Sequence, residues 1–378
     1  MQRKKLVVGI TASVSTILIK GQIKYFSEKG YETYLLAPKD ERTIKFCEEE
    51  GCILLPVKIK RDISILSDLL SLFQVIIHFV KIKPDVINLG TPKISLVGMI
   101  AAKLTGVQKK VYTCRGFRFE HEKGLKKQIL IQMEKIAGAL ANNIICISPS
   151  VKELAMKLNV FSPDKTMVIG QGSSNGIDLN FFNHSTIDKQ EVFRLKKKLN
   201  IENNFIYGFV GRLVDRKGVV EIYNAFSDLY KSNPNLRFVF VGGVELEQIA
   251  DKNLIQNIEN HPGFIYVGPQ LNVPLYLTIM DVFVLPAWWE GFGNVLIQAA
   301  AMGVPVISTE ATGCVDAVSN GFNGILVKPK SVVELKQAME LLFNDGNLRD
   351  QYGKNGIIWA KNFDRNIIWN ELNNIYQS

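Results

Sequence analysis

Short apolar runs alternate with stretches of helical spacing along the whole chain. In the first half the runs 6–10, 31–37, 53–57, 85–89, 110–114 and 143–148 have strand length and are rich in Val, Ile, Leu and Tyr. Between them, 21–30, 92–103 and 122–140 carry apolar residues three and four positions apart, which predicts helices. Strands with no polar face, joined by crossover helices, predict a mostly parallel sheet covered on both sides. After the polar, Lys-rich segment 188–204 the pattern restarts. Strands are expected at 205–210, 236–241, 264–267, 281–285, 304–308 and 324–327. Helices are expected at 218–231, from about 246, just before Met280, at 294–302 and at 332–343. The fold class is α/β, with two doubly wound, Rossmann-like domains. The first spans 1–185 and the second 186–355, and a tail, 356–378, carries two short helices with Trp359 and Trp369. The Gly-, Ser- and Asn-rich run 170–180 is the expected hinge. In such a pair, ligands are expected in the cleft between domains, at the carboxyl ends of the strands.

Composition excludes several classes. With 47% hydrophobic and 21% charged residues over 378 positions, the chain can bury sizeable cores and is not wholly disordered. Its five cysteines form no CxxC pair, so reduced packing thiols in a cytoplasmic protein are expected. No secretory leader is apparent, and no uncharged apolar run reaches the roughly 18 residues of a spanning helix. The nearest, 66–80, is interrupted by Asp68, Gln74 and His78.

The charge is one-sided. Residues 1–180 hold 27 Lys/Arg against 16 Asp/Glu, whereas 181–378 hold 18 against 20. Much of the excess sits at Lys103, Lys109, Lys110, Arg115, Arg118, Lys123, Lys126 and Lys127. Such a field would draw nucleic acid, an anionic bilayer or a phosphorylated substrate; an ordinary solvated basic surface is the plainer reading. With no zinc-finger spacing or basic arm, nucleic acid is not an expected partner.

Three loops carry candidate chemistry. In the block 286–306, a strand is followed by Glu290, two glycines (Gly291 and Gly293) and an apolar helix. Glycines permit close backbone approach, and the free amides of a helix start favour an anion. Glu290 precedes that helix, free to receive hydroxyls, and Gln298 lies about two turns along it. In 208–218, Arg212, Arg216 and Lys217 follow a strand, flanked by Gly211 and Gly218. Cations there would neutralise a diphosphate, or form a basic turn. Gly242 and Gly243 end the next strand, where a tight turn would also suffice. In the first half, Arg115, Arg118 and Glu120 follow a strand, and Ser13 sits in a small polar loop that is either a ligand contact or a plain βα connection. The four histidines are scattered and predict no metal site. Neither a phosphate-loop pattern nor a dinucleotide fingerprint is present.

Taken together, these blocks resemble the fourth family of retaining nucleotide-sugar glycosyltransferases, of the two-domain GT-B fold, in its capsule, exopolysaccharide and lipopolysaccharide branch. The resemblance runs from 20–22 through 113–120, 171–178, 211–213 and 217–218 to 290–293 and 303–306. It implies that Arg212 and Lys217 hold the donor diphosphate and that Glu290 contacts donor-sugar hydroxyls. Gly211, Gly242, Gly243, Gly291, Phe292, Gly293, Asn294 and Gln298 would line the nucleotide-sugar site. Ser13, Gln22, Arg115, Arg118, Glu120 and Asn175 would face acceptor or donor. Two departures stand out. Gln298 occupies the second acidic position of the family's paired-glutamate motif and lacks the charge-assisted bond to ribose. Arg115 stands where many members carry a histidine, and arginine is no general base at neutral pH.

The resemblance implies transfer of a hexose or N-acetylhexosamine, with retention, from a nucleotide diphosphate sugar, commonly UDP-linked. The acceptor would be a saccharide, lipid-linked on a polyprenyl diphosphate or a free oligosaccharide, at the inner face of the cytoplasmic membrane. No cofactor or metal is required if the cations supply the charge. The tail helices would cross back to the first domain. Two other readings are a nucleotide-sugar epimerase or hydrolase on the same plan, and a non-catalytic nucleotide-sugar-binding assembly protein.

Overall fold

The computed structural model describes residues 3–60 and 64–378. The chain forms two compact units, Met1–Gly176 with Asn366–Ser378, and Ile177–Arg365.

The first unit is built on seven parallel strands: β1 Lys5–Gly9, β2 Glu32–Ala37, β3 Ile53–Pro56, β4 Val86–Leu89, β5 Lys109–Cys114, β6 Asn143–Cys146 and β7 Thr166–Met167. Their order is β3-β2-β1-β4-β5-β6-β7. Alternate residues of β1 explain why its sequence has no polar face. Leu6 and Val8 pack on one side with Ile23, Phe26 and Phe46, while Val7 packs on the other with Val75, Phe79, Val97 and Leu130. The second layer comes from the helices Ile65–Ile82, Pro92–Leu104 and Gly124–Leu140. The final helix, Arg365–Gln377, belongs to the first layer and buries Ile368, Trp369, Leu372 and Tyr376. At about 1.5–3 kcal/mol for each large apolar side chain removed from water, those four residues anchor it firmly. Tyr376 also accepts a 2.6 Å hydrogen bond from the Asn88 amide of β4.

The second unit has six parallel strands: β8 Phe205–Val210, β9 Leu236–Val241, β10 Phe264–Tyr266, β11 Val282–Val284, β12 Val306–Thr309 and β13 Gly324–Val327. They run in the order β10-β9-β8-β11-β12-β13. Its core is aromatic, with Phe226 and Phe264 rings 4.6 Å apart and Phe238 and Phe240 4.7 Å apart. Both sheets are doubly wound. Strand order reverses between β1 and β4 in the first unit and between β8 and β11 in the second, and loops diverge at those points.

Several elements differ from the sequence expectation. The change of unit falls at 176/177 instead of 185/186, and 356–365 pack in the second unit instead of the first. The Lys-rich segment is a helix, Lys189–Leu199, capped by the Asp188 carboxylate and closed by Asn200 in the left-handed region. Only Leu195 is fully buried on it, flanked on the same face by half-buried Val192 and Leu199, and the lysines around this narrow stripe hide it. From Leu246 there is one 3-10 turn, with the helix delayed to Leu254–Asn260. The first tail helix starts ten residues early, at Gly346, where Asp345 caps Leu348. Helices Glu41–Glu50 and Pro149–Lys157 and the two-residue strand β7 were not expected.

Glu134 is buried in the first unit, where its carboxyl accepts the Tyr112 hydroxyl. Burial raises its pKa from 4.5 to about 7, only partly opposed by that hydrogen bond. The folded state thus holds this proton more tightly than the unfolded chain does. The resulting contribution is present below pH 4.5 and is lost as pH rises to about 7. Glu134→Gln should therefore flatten the decline in Tm between pH 5 and pH 8 relative to wild type, measured by calorimetry. Parallel curves would refute the assignment.

Candidate functional site

In the second unit the loop after β8 meets the loop after β11 at the switch point. The β8 loop makes one 3-10 turn, Asp215–Lys217, and ends at Gly218, whose φ is +78°. A Cβ at Gly218 would lie 2.2 Å from the Pro286 carbonyl oxygen, so only glycine permits this approach. The loops are stitched by the Trp288 amide donating to the Arg216 carbonyl at 2.8 Å. Lys217 Nζ is thereby placed in direct contact with Glu290 Oε1, and Arg216 Nη1 lies 3.8 Å from the same oxygen. The Lys217 and Glu290 side chains are each only 13% exposed. Arg216 also lies 5.9 Å from the Trp289 ring centroid.

The loop after β12 fixes the carboxylate from behind. The Glu290 amide donates to Thr312 O at 2.9 Å, and the Gly293 amide donates to Gly313 O at 3.1 Å. Gly313 (φ +74°) would bring a Cβ to 2.5 Å from the Glu290 carbonyl oxygen. Cys314 is buried beside them; burial first, and then the Glu290 charge, push its thiol up to about 12, so it stays protonated. Trp288 is held through its indole N–H, which donates to Glu221 at 2.9 Å.

Arg212 is placed differently from Lys217. Its Nη1 lies 2.6 and 2.7 Å from the two carboxylate oxygens of Glu245. The backbone explains this: Leu213 N donates to Gly243 O and Glu245 N donates to Leu213 O, which draws this end of the loop towards β9. The cation meeting Glu290 beside Lys217 is Arg216. Gly211 and Gly242 tie adjacent loops, donating to Val241 O and Gly268 O. Phe292 is buried with its ring 5.4 Å from Phe363. The Gly293 and Asn294 amides already donate within the protein, the latter to Phe292 O at 2.9 Å. Gln298 is half-buried in the helix Asn294–Ala301.

In the first unit the structure brings Gln22 and Asn175 together. Gln22 Nε2 donates to Asn175 Oδ1 at 3.1 Å, that oxygen also accepts Trp369 Nε1 at 2.7 Å, and Asn175 Nδ2 donates to Lys20 O. These side chains brace the chain where the unit ends. Ser13 opens a 3-10 turn, and its carbonyl accepts the Thr16 hydroxyl. Arg118 is exposed and Glu120 half-buried on the turn Arg118–His121. Arg115 follows β5, with its guanidinium against Gly90.

Comparison with known proteins assigns the chemistry. A model described as glycosyl transferases group 1 matches residues 191–359, and one described as glycosyl transferase 4-like matches 8–148. The chain is 36% identical over 379 residues to the capsular polysaccharide biosynthesis glycosyltransferase CapM of Staphylococcus aureus, covering 100% of this chain and 98% of that one. The chain belongs to the group 1 glycosyltransferases. It is also 28% identical to the UDP-Gal:alpha-D-GlcNAc-diphosphoundecaprenol alpha-1,3-galactosyltransferase of Escherichia coli, over 81% of this chain and 79% of that one. Among solved structures, Anabaena HepE in complex with UDP and glucose superposes with a TM-score of 0.85 at 20% identity, over 100% of both chains. The fold of this transferase is GT-B.

Sequence reading of the transferase missed Thr312 and Gly313, which carry no ionisable group, and Glu245, whose role depends on strand order. Arg216 was visible but carried no distinguishing signal. Gly218→Ala should force the β8 and β11 loops apart and cost about 2 kcal/mol or more of stability, read from urea unfolding. Glycosyl transfer should fall with it. A variant as stable and active as wild type would show that Gly218 does not set this approach.

Proposed function

We propose that this glycosyltransferase moves a hexose or N-acetylhexosamine from a UDP-sugar, with retained anomeric configuration, to a saccharide carried on a polyprenyl diphosphate. The observation that carries the reading is the Lys217–Glu290–Arg216 cluster at the β8/β11 switch point. Lys217 and Arg216 are suited to the donor diphosphate, with Arg212 reaching it on exchange from Glu245. Glu290 is suited to hydroxyls of the transferred sugar. The named activity of the Escherichia coli relative supports the nucleotide and the acceptor class.

In the proposed front-face mechanism, the acceptor hydroxyl oxygen bonds to the anomeric carbon on the face that the diphosphate leaves. The acceptor proton passes to the leaving phosphate oxygen, giving the new glycoside and UDP. The cations stabilise charge on the leaving group, and no divalent metal is required. Lys217→Ala should lower kcat by about 100-fold or more, and Glu290→Gln should do likewise. Wild-type activity should survive EDTA. The measurement is a donor screen with membrane lipid extracts, in which product mass and anomeric configuration are read together. An inverted product would overturn the mechanism, and undiminished turnover by both variants would overturn the site.

The membrane face is part of this proposal. On the helix Ile65–Ile82, Leu66, Leu69, Leu70, Phe73, Ile77 and Val80 are exposed, Leu66 by 78% and Phe73 by 62%. At helical spacing they form one stripe about 100° wide. In the same layer, with Pro92–Leu104 between the two, the helix Gly124–Leu140 exposes Leu125, Ile129 and Ile136, close in sequence to Lys123, Lys126 and Lys127. Among the described residues no helix is long and apolar enough to cross a membrane. An apolar stripe on the more basic part of the chain suits an anionic bilayer surface. Leu70→Ser with Phe73→Ser should reduce cosedimentation with phosphatidylglycerol vesicles by about 10-fold, while sparing transfer to a soluble acceptor. Absence of wild-type binding at low salt would defeat the proposal.

A further inference from the structure

Among the described residues of the first unit, Arg115 is a basic residue whose environment its own fold leaves unexplained. It follows directly on β5, and its Nε and Nη1 are sealed from solvent with no hydrogen-bond partner among the described residues. The guanidinium lies over Gly90, just past the end of β4. A Cβ at Gly90 would stand 2.8 Å from Arg115 Nε and 2.9 Å from Nη2, so the absence of a side chain there makes its berth. Burial pulls its pKa down to about 10, opposed by Tyr376 and Cys114. Both of those groups are weak acids whose own pKa values burial raises, so neither supplies a counter-charge at neutral pH. The residue as a whole is half-buried, but the guanidinium remains charged and its sealed side has no partner, which lowers stability.

The location adds to the case. β1 and β4 flank the first unit's switch point, and Thr11 after β1 is bonded to Thr91 after β4, their hydroxyls 2.6 Å apart. The 13-residue helix Pro92–Leu104 starts two residues beyond Gly90, and Ile94 N is capped by the Thr11 hydroxyl. A helix amino terminus and a desolvated guanidinium thus share the carboxyl end of β4, and both favour negative charge.

We propose that Arg115 is an anion-binding residue whose ligand is a phosphate or diphosphate group, the planar fork bonding its oxygens. It rests on the transferase reading only for the source of that group, either the nucleotide of the donor or the diphosphate of a lipid-linked acceptor. Gly90 is then a built part of the site, and the stability lost in the free protein is recovered on binding.

Calorimetric titration of UDP and of a short-chain prenyl diphosphate sugar into wild type, Arg115→Lys and Arg115→Met, without turnover, tests this. Arg115→Met should weaken one of the two ligands at least 10-fold, with Arg115→Lys intermediate. Loss for UDP assigns the donor, and loss for the prenyl diphosphate alone assigns the acceptor. Free Arg115→Met should also melt above wild type, because a charge whose sealed side has no partner has been removed. A lower Tm would mark Arg115 as a structural residue and overturn the proposal. So would binding of both ligands within twofold of wild type; if such a variant still transferred sugar, the transferase reading would stand and only the Arg115 inference would fall. Wild-type failure to bind either diphosphate would sink both.

Discussion

The contact between Lys217 and Glu290 organises the second unit. It exists because β8 and β11 are neighbours in a parallel sheet, so two loops more than seventy residues apart in sequence leave the same edge together. Glycine at 218 lets them close, and the β12 loop pins the Glu290 amide from the other side. Both side chains are largely withdrawn from water. Removing one partner from such a pair costs about 3–5 kcal/mol, because the other charge is left buried and uncompensated. A ligand that separates them must therefore satisfy both at once, with an anion for the lysine and donors for the carboxylate. A phosphorylated sugar carries both groups in one molecule.

The two units divide their electrostatics. Residues 181–378 are nearly balanced, and the cations of their site are each matched by a carboxylate, Lys217 and Arg216 by Glu290 and Arg212 by Glu245. Residues 1–180 hold the whole positive excess. Within the first unit Lys93 is paired with Asp68 at 2.7 Å, whereas the sealed nitrogens of Arg115 have no acceptor among the described residues. The first unit also leaves a continuous apolar stripe uncovered on its Ile65–Ile82 helix while the opposite side of that helix packs through Val75 and Phe79. Unsatisfied charge and unsatisfied apolar surface are two forms of one property: the free unit has not met all its own demands.

Much of this was legible in the sequence. Strands apolar on both faces, regularly interrupted by helical spacing, specify parallel sheets covered by helices, and 12 of the 13 strands among the described residues lie within three residues of their expected places. The loops bearing Glu290 and Lys217 were recognisable because glycines flank the charged residues. The Lys189–Leu199 helix was hidden because it buries a single leucine, although its caps, Asp188 and Asn200, were there to be read.

Side-chain periodicity records which face of an element is buried, and so the sequence by itself determined the layers, the double winding and the loops that carry charge. Which charges meet was decided by the tertiary structure alone. Arg212 and Arg216 are four residues apart in one loop, yet one turns to Glu245 beyond β9 and the other to Glu290 beyond β11. That choice depends on strand order and on backbone hydrogen bonds between loops distant in sequence. The orphaned nitrogens of Arg115 and the backing role of Thr312 and Gly313 likewise arise from neighbours that no local pattern specifies.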